Sequence, residues 1–166
     1  MRRPTRSMWN IMLLAVFFML LPLTAAAQRV ELFGGYQFTH LDPRFNASGW
    51  NASVTGNFKH VLGITGDFSG AYKDNIHAHT YTVGPVLAAR LPVVQPFVHA
   101  LFGGMTISGG GASTTGFAMM VGGGLDVGLR KGFGLRIVQA DWISTRFSGT
   151  TNNHNLRGSV GLVIKF

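Results

Sequence analysis

From Trp50 to Lys59 the chain alternates without a break. Trp50, Ala52, Val54, Gly56 and Phe58 hold one parity; Asn51, Ser53, Thr55, Asn57 and Lys59 hold the other. A period of two puts the two sets on opposite faces of a strand. The pattern recurs along the chain, interrupted by turn-forming residues, and predicts eight strands. They fall near 29–39, 49–59, 61–71, 78–90, 94–107, 116–129 and 133–146, and over the final stretch from Leu156. In that last strand Val160, Leu162, Ile164 and Phe166 oppose Arg157, Ser159 and Lys165.

The connections divide by length. Those after the second, fourth and sixth strands are tight: Lys59-His60, Leu91-Pro92-Val93 and Arg130-Lys131-Gly132. Those after the first, third, fifth and seventh are read as longer and polar: Leu41 to Ser48, Lys73 to His77, Ser108 to Thr115 and Ser148 to His154. Short turns on one rim and long loops on the other are the mark of membrane barrels. The long loops are then expected to face outside, and the rim carrying both termini the periplasm.

The front of the chain changes the setting. Arg2, Arg3 and Arg6 precede an apolar run from Ile11 to Leu21, and Ala25-Ala26-Ala27 supplies small residues for cleavage. This is the layout of a secretory signal, with residues 1–27 removed and a barrel domain over 28–166. The run is short for a spanning helix, which needs about 20 residues. The chain has no cysteine. That excludes a disulfide framework and thiol metal sites. A closed barrel needs neither, because every backbone group is paired within its wall.

Cost decides which face meets lipid. A Lys or Arg on the lipid face at mid-membrane costs about 2–4 kcal/mol. In most strands the charges lie opposite the bulky apolar set, so Glu31, Lys59, Asp67, Asp126, Arg157 and Lys165 are expected to point inward. Isolated buried carboxylates would be expensive, so the lumen should hold ion pairs, with Arg157, Arg136 and Arg90 as partners. Eight strands make a bore that side chains can fill. The seventh strand is inconsistent: Arg136 has one parity, Gln139 and Asp141 the other. Either Arg136 lies at the periplasmic interface or a bulge shifts the register between them. Gln139 and Asp141 are assigned inward. Trp50, Tyr81 and Trp142 suit an upper aromatic girdle, and Phe58 and Phe133 a lower one. The fold class is thus all-β, an eight-stranded antiparallel up-and-down transmembrane β-barrel.

At this point the chain resembles the small OmpA/OmpX-like outer-membrane barrels, and more closely the stand-alone bacterial outer-membrane β-barrel domains. The resemblance rests on Gly49-Trp50-Asn51-Ala52-Ser53, Tyr81-Thr82-Val83-Gly84-Pro85 and Pro96-Phe97-Val98-His99-Ala100. It rests also on Gly122-Gly123-Gly124-Leu125-Asp126, Gln139-Ala140-Asp141-Trp142 and the run from Asn155-Leu156-Arg157 to Phe166. It implies a bacterial outer-membrane location. It also implies that Val160, Leu162, Ile164 and Phe166 form a signal read by the barrel-assembly machinery. It is a resemblance to the barrel alone, so the cell-wall tethering of full OmpA-type proteins is not carried over.

Charge adds one exclusion. The chain has 14 Lys and Arg against 6 Asp and Glu, but the excess is scattered. A nucleic-acid surface would cluster it with aromatics. Candidate chemistry is thin. His77 and His79 share a strand face, yet zinc wants three or four ligands, and only His154 in another loop is available. His40, His60 and His99 are read as satisfying local hydrogen bonds. A lipid hydrolase would need a Ser beside a positioned His and an acid. Ser144 and Ser148 lie near Asp141 with no His placed locally, and His154 is followed by Asn155 and Leu156. Gly109-Gly110-Gly111 is read as a flexible outer loop. Gly122-Gly123-Gly124 is read as making room for bulky neighbours inside the wall. No cofactor and no metal is expected, and the partners are membrane lipid and the assembly machinery, for a monomer. The leading expectation is a non-enzymatic barrel contributing to envelope structure, its outer loops engaging surfaces or ligands. A narrow solute channel is the second reading, a lipid hydrolase the third and a soluble periplasmic barrel or sandwich the fourth.

Overall fold

The computed structural model describes residues 29–41, 45–58, 61–147 and 149–166. The expected leader, Lys59, His60 and Ser148 lie outside the described residues. The strands are β1 (Arg29–Leu41), β2 (Phe45–Asn57), β3 (Leu62–Lys73), β4 (Ile76–Ala88), β5 (Val94–Gly109), β6 (Ala112–Arg130), β7 (Phe133–Phe147) and β8 (Thr150–Lys165). Each pairs antiparallel with its chain neighbour, and β8 returns to β1, so the sheet closes into a barrel. Glu31 stands opposite Lys165, and the Phe166 N–H donates to the Val30 carbonyl at 2.9 Å. Closure leaves no sheet edge, which lets strands stand in a solvent that offers no hydrogen bonds.

Alternation sets the two surfaces. The outward positions carry Tyr36, Val54, Phe68, Val83, Val98 and Leu162, all exposed. The inward positions carry Gln37, Asn51, Asp67, Thr82, Gln139 and Arg157, all buried. A soluble barrel would reverse this assignment, keeping its polar set outside. Near the rim opposite the termini the exterior is aromatic and hydrogen-bonded. Trp50 Nε1 donates to the Tyr72 hydroxyl at 3.1 Å, Tyr36 to Ser48 Oγ at 2.7 Å, and Trp142 Nε1 to the Asn153 carbonyl.

The expected long loops are mostly strand. At the hairpin rim, Asp74-Asn75 alone joins β3 to β4, and Gly110-Gly111 alone joins β5 to β6. Both glycines have positive φ, 59° and 83°, which a two-residue hairpin of this hand demands. Gly109 pairs with Ala112 in the ladder, so the three glycines are not a flexible loop. The reason is physical. Beyond an apolar belt a strand needs no apolar face, and its residues read as loop while their backbones continue the sheet. The connections at the terminal rim are as long or longer, over 58–61 and 89–93. The difference in loop length expected between the rims is therefore absent.

The parity conflict in β7 resolves as a bulge. Ile137 and Val138 both face outward, at 44% and 50% exposure, between inward Arg136 and inward Gln139. The register shifts at this point against β8 and between Leu125 and Asp126 against β6. The extra residue lets Arg136 and Asp141 share the lumen.

Candidate functional site: the filled lumen

Inward parity delivers two kinds of contents. The half nearer the termini holds charges. Arg157, on β8, is the centre: Nη1 donates to Asp67 Oδ1 at 2.8 Å and to Ser69 Oγ at 3.3 Å, and Nη2 lies 2.7 Å from Asp141 Oδ2. One guanidinium thus joins β8 to β3 and β7 across the bore. Asn51 Nδ2 completes Asp67 at 2.9 Å; Gln139 Nε2 at 2.8 Å and His99 Nε2 at 2.7 Å complete Asp141. The fork of donors on Arg matches a carboxylate in geometry as well as charge.

A second centre lies nearer the terminal rim. Arg136 donates to both Asp126 oxygens, at 2.7 and 3.1 Å, and to Gln139 Oε1 at 2.7 Å. Its guanidinium sits 4.3 Å from the Phe33 ring centre and 4.2 Å from that of Phe97. Aromatic faces stabilise a desolvated cation by about 2 kcal/mol. Glu31 closes this end, with Asn57 Nδ2 at 3.0 Å, Gln95 Nε2 at 3.4 Å and Arg90 Nη2 at 3.7 Å; Lys165 Nζ reaches Gln95 Oε1 at 2.7 Å. Beside Glu31, His99 and Arg136 a cavity of about 20 Å³ remains, room for one water. Among the described residues, four lumen carboxylates face three arginines and Lys165, so the charges balance.

The half nearer the hairpin rim is apolar. Leu41, Leu101, Met105, Met120 and Ile143 pack with four alanines into one cluster, and Leu101 and Met120 have no exposed surface. This cluster sits across the bore directly above the Arg157 centre. Two glycines make room for the charged half below. A Cβ at Gly122 would lie 2.1 Å from Asp141 Oδ1, and one at Gly124 would lie 2.8 Å from the Phe97 ring.

The structure therefore places Glu31, Asp67, Arg90, Asp126, Arg136, Asp141 and Arg157 inward, in two linked clusters, while Lys59 lies outside the described residues. Val160, Leu162, Ile164 and Phe166 face outward. Sequence reasoning missed two parts. It assigned no role to Phe33 and none to the stacking face of Phe97, although both have inward parity. It read His99 as locally satisfied, whereas its partner Asp141 is 42 residues away. His40 does bond locally, to Asn46. His77 and His79 face outward, edge-on to the Tyr72 ring at 5.4 and 5.6 Å. Among the described residues no three His, Cys, Asp or Glu are grouped to hold a metal.

No protein-family model and no curated sequence matches the chain. Solved structures do. Neisserial surface protein A superposes with a TM-score of 0.58 at 14% identity, over 84% of this chain and 97% of its own. The N-terminal β-barrel domain of Pseudomonas aeruginosa OprF gives 0.58 at 15%, over 83% and 97%. Ail, the attachment invasion locus protein of Yersinia pestis, gives 0.53 at 18%, over 84% and 99%. At these identities the likeness is one of fold: the closed eight-stranded barrel of small outer-membrane proteins.

Proposed function

We propose that this chain is an integral outer-membrane barrel that serves as a closed, non-conducting and non-enzymatic structural element of the envelope. One observation carries the reading: a closed sheet whose exposed belt is large and apolar surrounds a lumen of paired charges. Burying such a belt in lipid removes it from water, and keeping the charges inside avoids about 2–4 kcal/mol for each Lys or Arg that would otherwise face lipid. The terminal rim then faces the periplasm and the hairpin rim the outside. The tight hairpins leave the rim itself, more than any long loop, as the surface offered outward.

The filled bore supports the closed form over a channel. Leu101, Met120 and the Arg157 centre stand in series across it. The His99–Asp141 pair is engaged with Arg157 below that plug, which supports a structural role for it over catalysis. Membrane fractionation with an unboiled gel tests the placement. The protein should partition with outer membranes and migrate faster before heating; recovery in the soluble fraction would sink the reading. Purified protein in planar bilayers should be electrically silent, and steady unitary conductance would reverse the choice between scaffold and channel.

The assembly role of Val160, Leu162, Ile164 and Phe166 is part of this proposal. Phe166→Ala keeps the backbone bond to Val30 and removes only the ring. It should lower insertion in cells while leaving refolding in vitro unchanged; normal insertion would refute the role.

A further inference from the structure

Above the apolar plug the described residues leave part of the barrel mouth unfilled. An open recess of about 520 Å³ remains on the β4–β7 side, lined by Ile76, Ile107, Ala112, Thr114, Phe147 and the Gly109-Gly110 turn. Every strand residue in that set has inward parity. Ile107 and Phe147 pack on the plug below, so the floor is sealed. Ile76 is 40% exposed although it faces the bore. An apolar bowl of this size opening to water lies in the range of small-molecule sites.

The rim around it is polar, and among the described residues Lys73 is the cation on its inward face. Lys73 has the inward parity of Ala71 and stands opposite Ile76. Arg146, between inward Thr145 and Phe147, faces the outer wall and not the recess. Asp74, in the turn beside Lys73, is the carboxylate at this rim among the described residues; the other four are sealed in the lumen. An apolar floor with one lysine at its edge is complementary to a single-chain amphiphile with an anionic head.

We propose that the outer mouth is a dead-end receptor for a medium-chain fatty carboxylate arriving from outside. The tail lies against Ile76, Ile107 and Phe147, and the head is held at the rim by Lys73. The plug makes this a holding site and not a conduit. The inference rests on the membrane reading only for the side from which the ligand arrives.

The test uses the full chain in phospholipid nanodiscs with labelled isoleucine methyl groups, titrated with decanoate. Ile76 and Ile107 should shift saturably. The lipid-facing Ile64 and Ile137 should follow only the partition of decanoate into the disc. From octanoate to dodecanoate the affinity should rise about fourfold per added methylene. Decanol should bind more weakly than decanoate, and Lys73→Gln should erase that difference. Thr114→Phe, which fills the recess, should weaken binding about tenfold while keeping the heat-dependent gel shift. Shifts confined to Ile64 and Ile137 would overturn the site, as would contacts from disc lipid already saturating Ile76 and Ile107, or an unaffected Thr114→Phe variant. Equal affinity for decanol and decanoate would overturn the anionic head. A protein that passes fractionation and the gel shift but ignores decanoate leaves the membrane reading standing.

Discussion

The two halves of the lumen share one alternation and one wall, but they are held in different ways. The terminal half is held by direction. Arg157 meets two carboxylates on two strands, and Arg136 fits one carboxylate, one amide and two rings. The hairpin half is held by shape, with Leu101, Met120 and Ile143 filling space against alanines. Removing one partner from the first leaves a charge without an answer in a dry interior. Removing volume from the second leaves a void. The first kind of content specifies register, because a guanidinium that slips by one strand position loses its acid. The second tolerates exchange of similar volumes.

Substitutions can break this contrast. Arg157→Ala strands Asp67 and Asp141 and should destabilise by about 3–5 kcal/mol. Urea titration of bilayer-folded protein by tryptophan fluorescence would measure it; a loss under about 1 kcal/mol would show that water solvates this centre. Leu101→Ala should cost about 2–5 kcal/mol, less where the plug collapses around the void. Leu101→Met should cost under about 1.5 kcal/mol by the same titration, and that tolerance is what separates the two halves. Gly122→Ala forces a Cβ onto Asp141 and should cost about 1–3 kcal/mol. Arg136→Lys keeps the charge but loses the fork and the ring contacts, for about 1–2 kcal/mol. Replacing Arg136 with Met and Asp126 with Leu together should cost less than Arg136→Met alone, since it removes both charges of the pair. A double variant worse than the single would mean that the terminal half, too, is governed by packing.

Much of this was legible because alternation is a strong signal where both faces are chemically committed. In β2 every residue from Trp50 to Asn57 lies on the face its parity assigns. The inward charges follow from the cost of lipid exposure, and closure through β8 and β1 follows from the need to remove edges. What was not legible depended on chain-distant geometry. The partner of His99 lies two strands away, and nothing near His99 announces Asp141. The role of Phe33 and Phe97 stayed hidden because an inward aromatic makes sense only once Arg136 is known to lie on it. The hairpin ends were misjudged for a different reason. Ser108 to Thr115 is polar on both faces, so period-two contrast vanishes exactly where the ladder leaves the apolar belt and runs on.

The bulge at Ile137–Val138 gives β7 two reading frames joined by one spare residue. Arg136 is written in the first frame, Gln139 and Asp141 in the second. Loss of a single codon between them would fuse the frames: Arg136 and Gln139 would stand two residues apart, as Asp126 and Gly124 do on β6 and Gly161 and Ser159 on β8, and both would still face inward. In strands without a bulge, such as β1 with Glu31 and β3 with Asp67, all inward groups are written in one frame, and a codon lost between two of them turns one group out. Single-codon deletions should therefore be tolerated best at Ile137 and Val138, which a library of one-residue deletions sorted on surface display would reveal as a narrow peak of survivors.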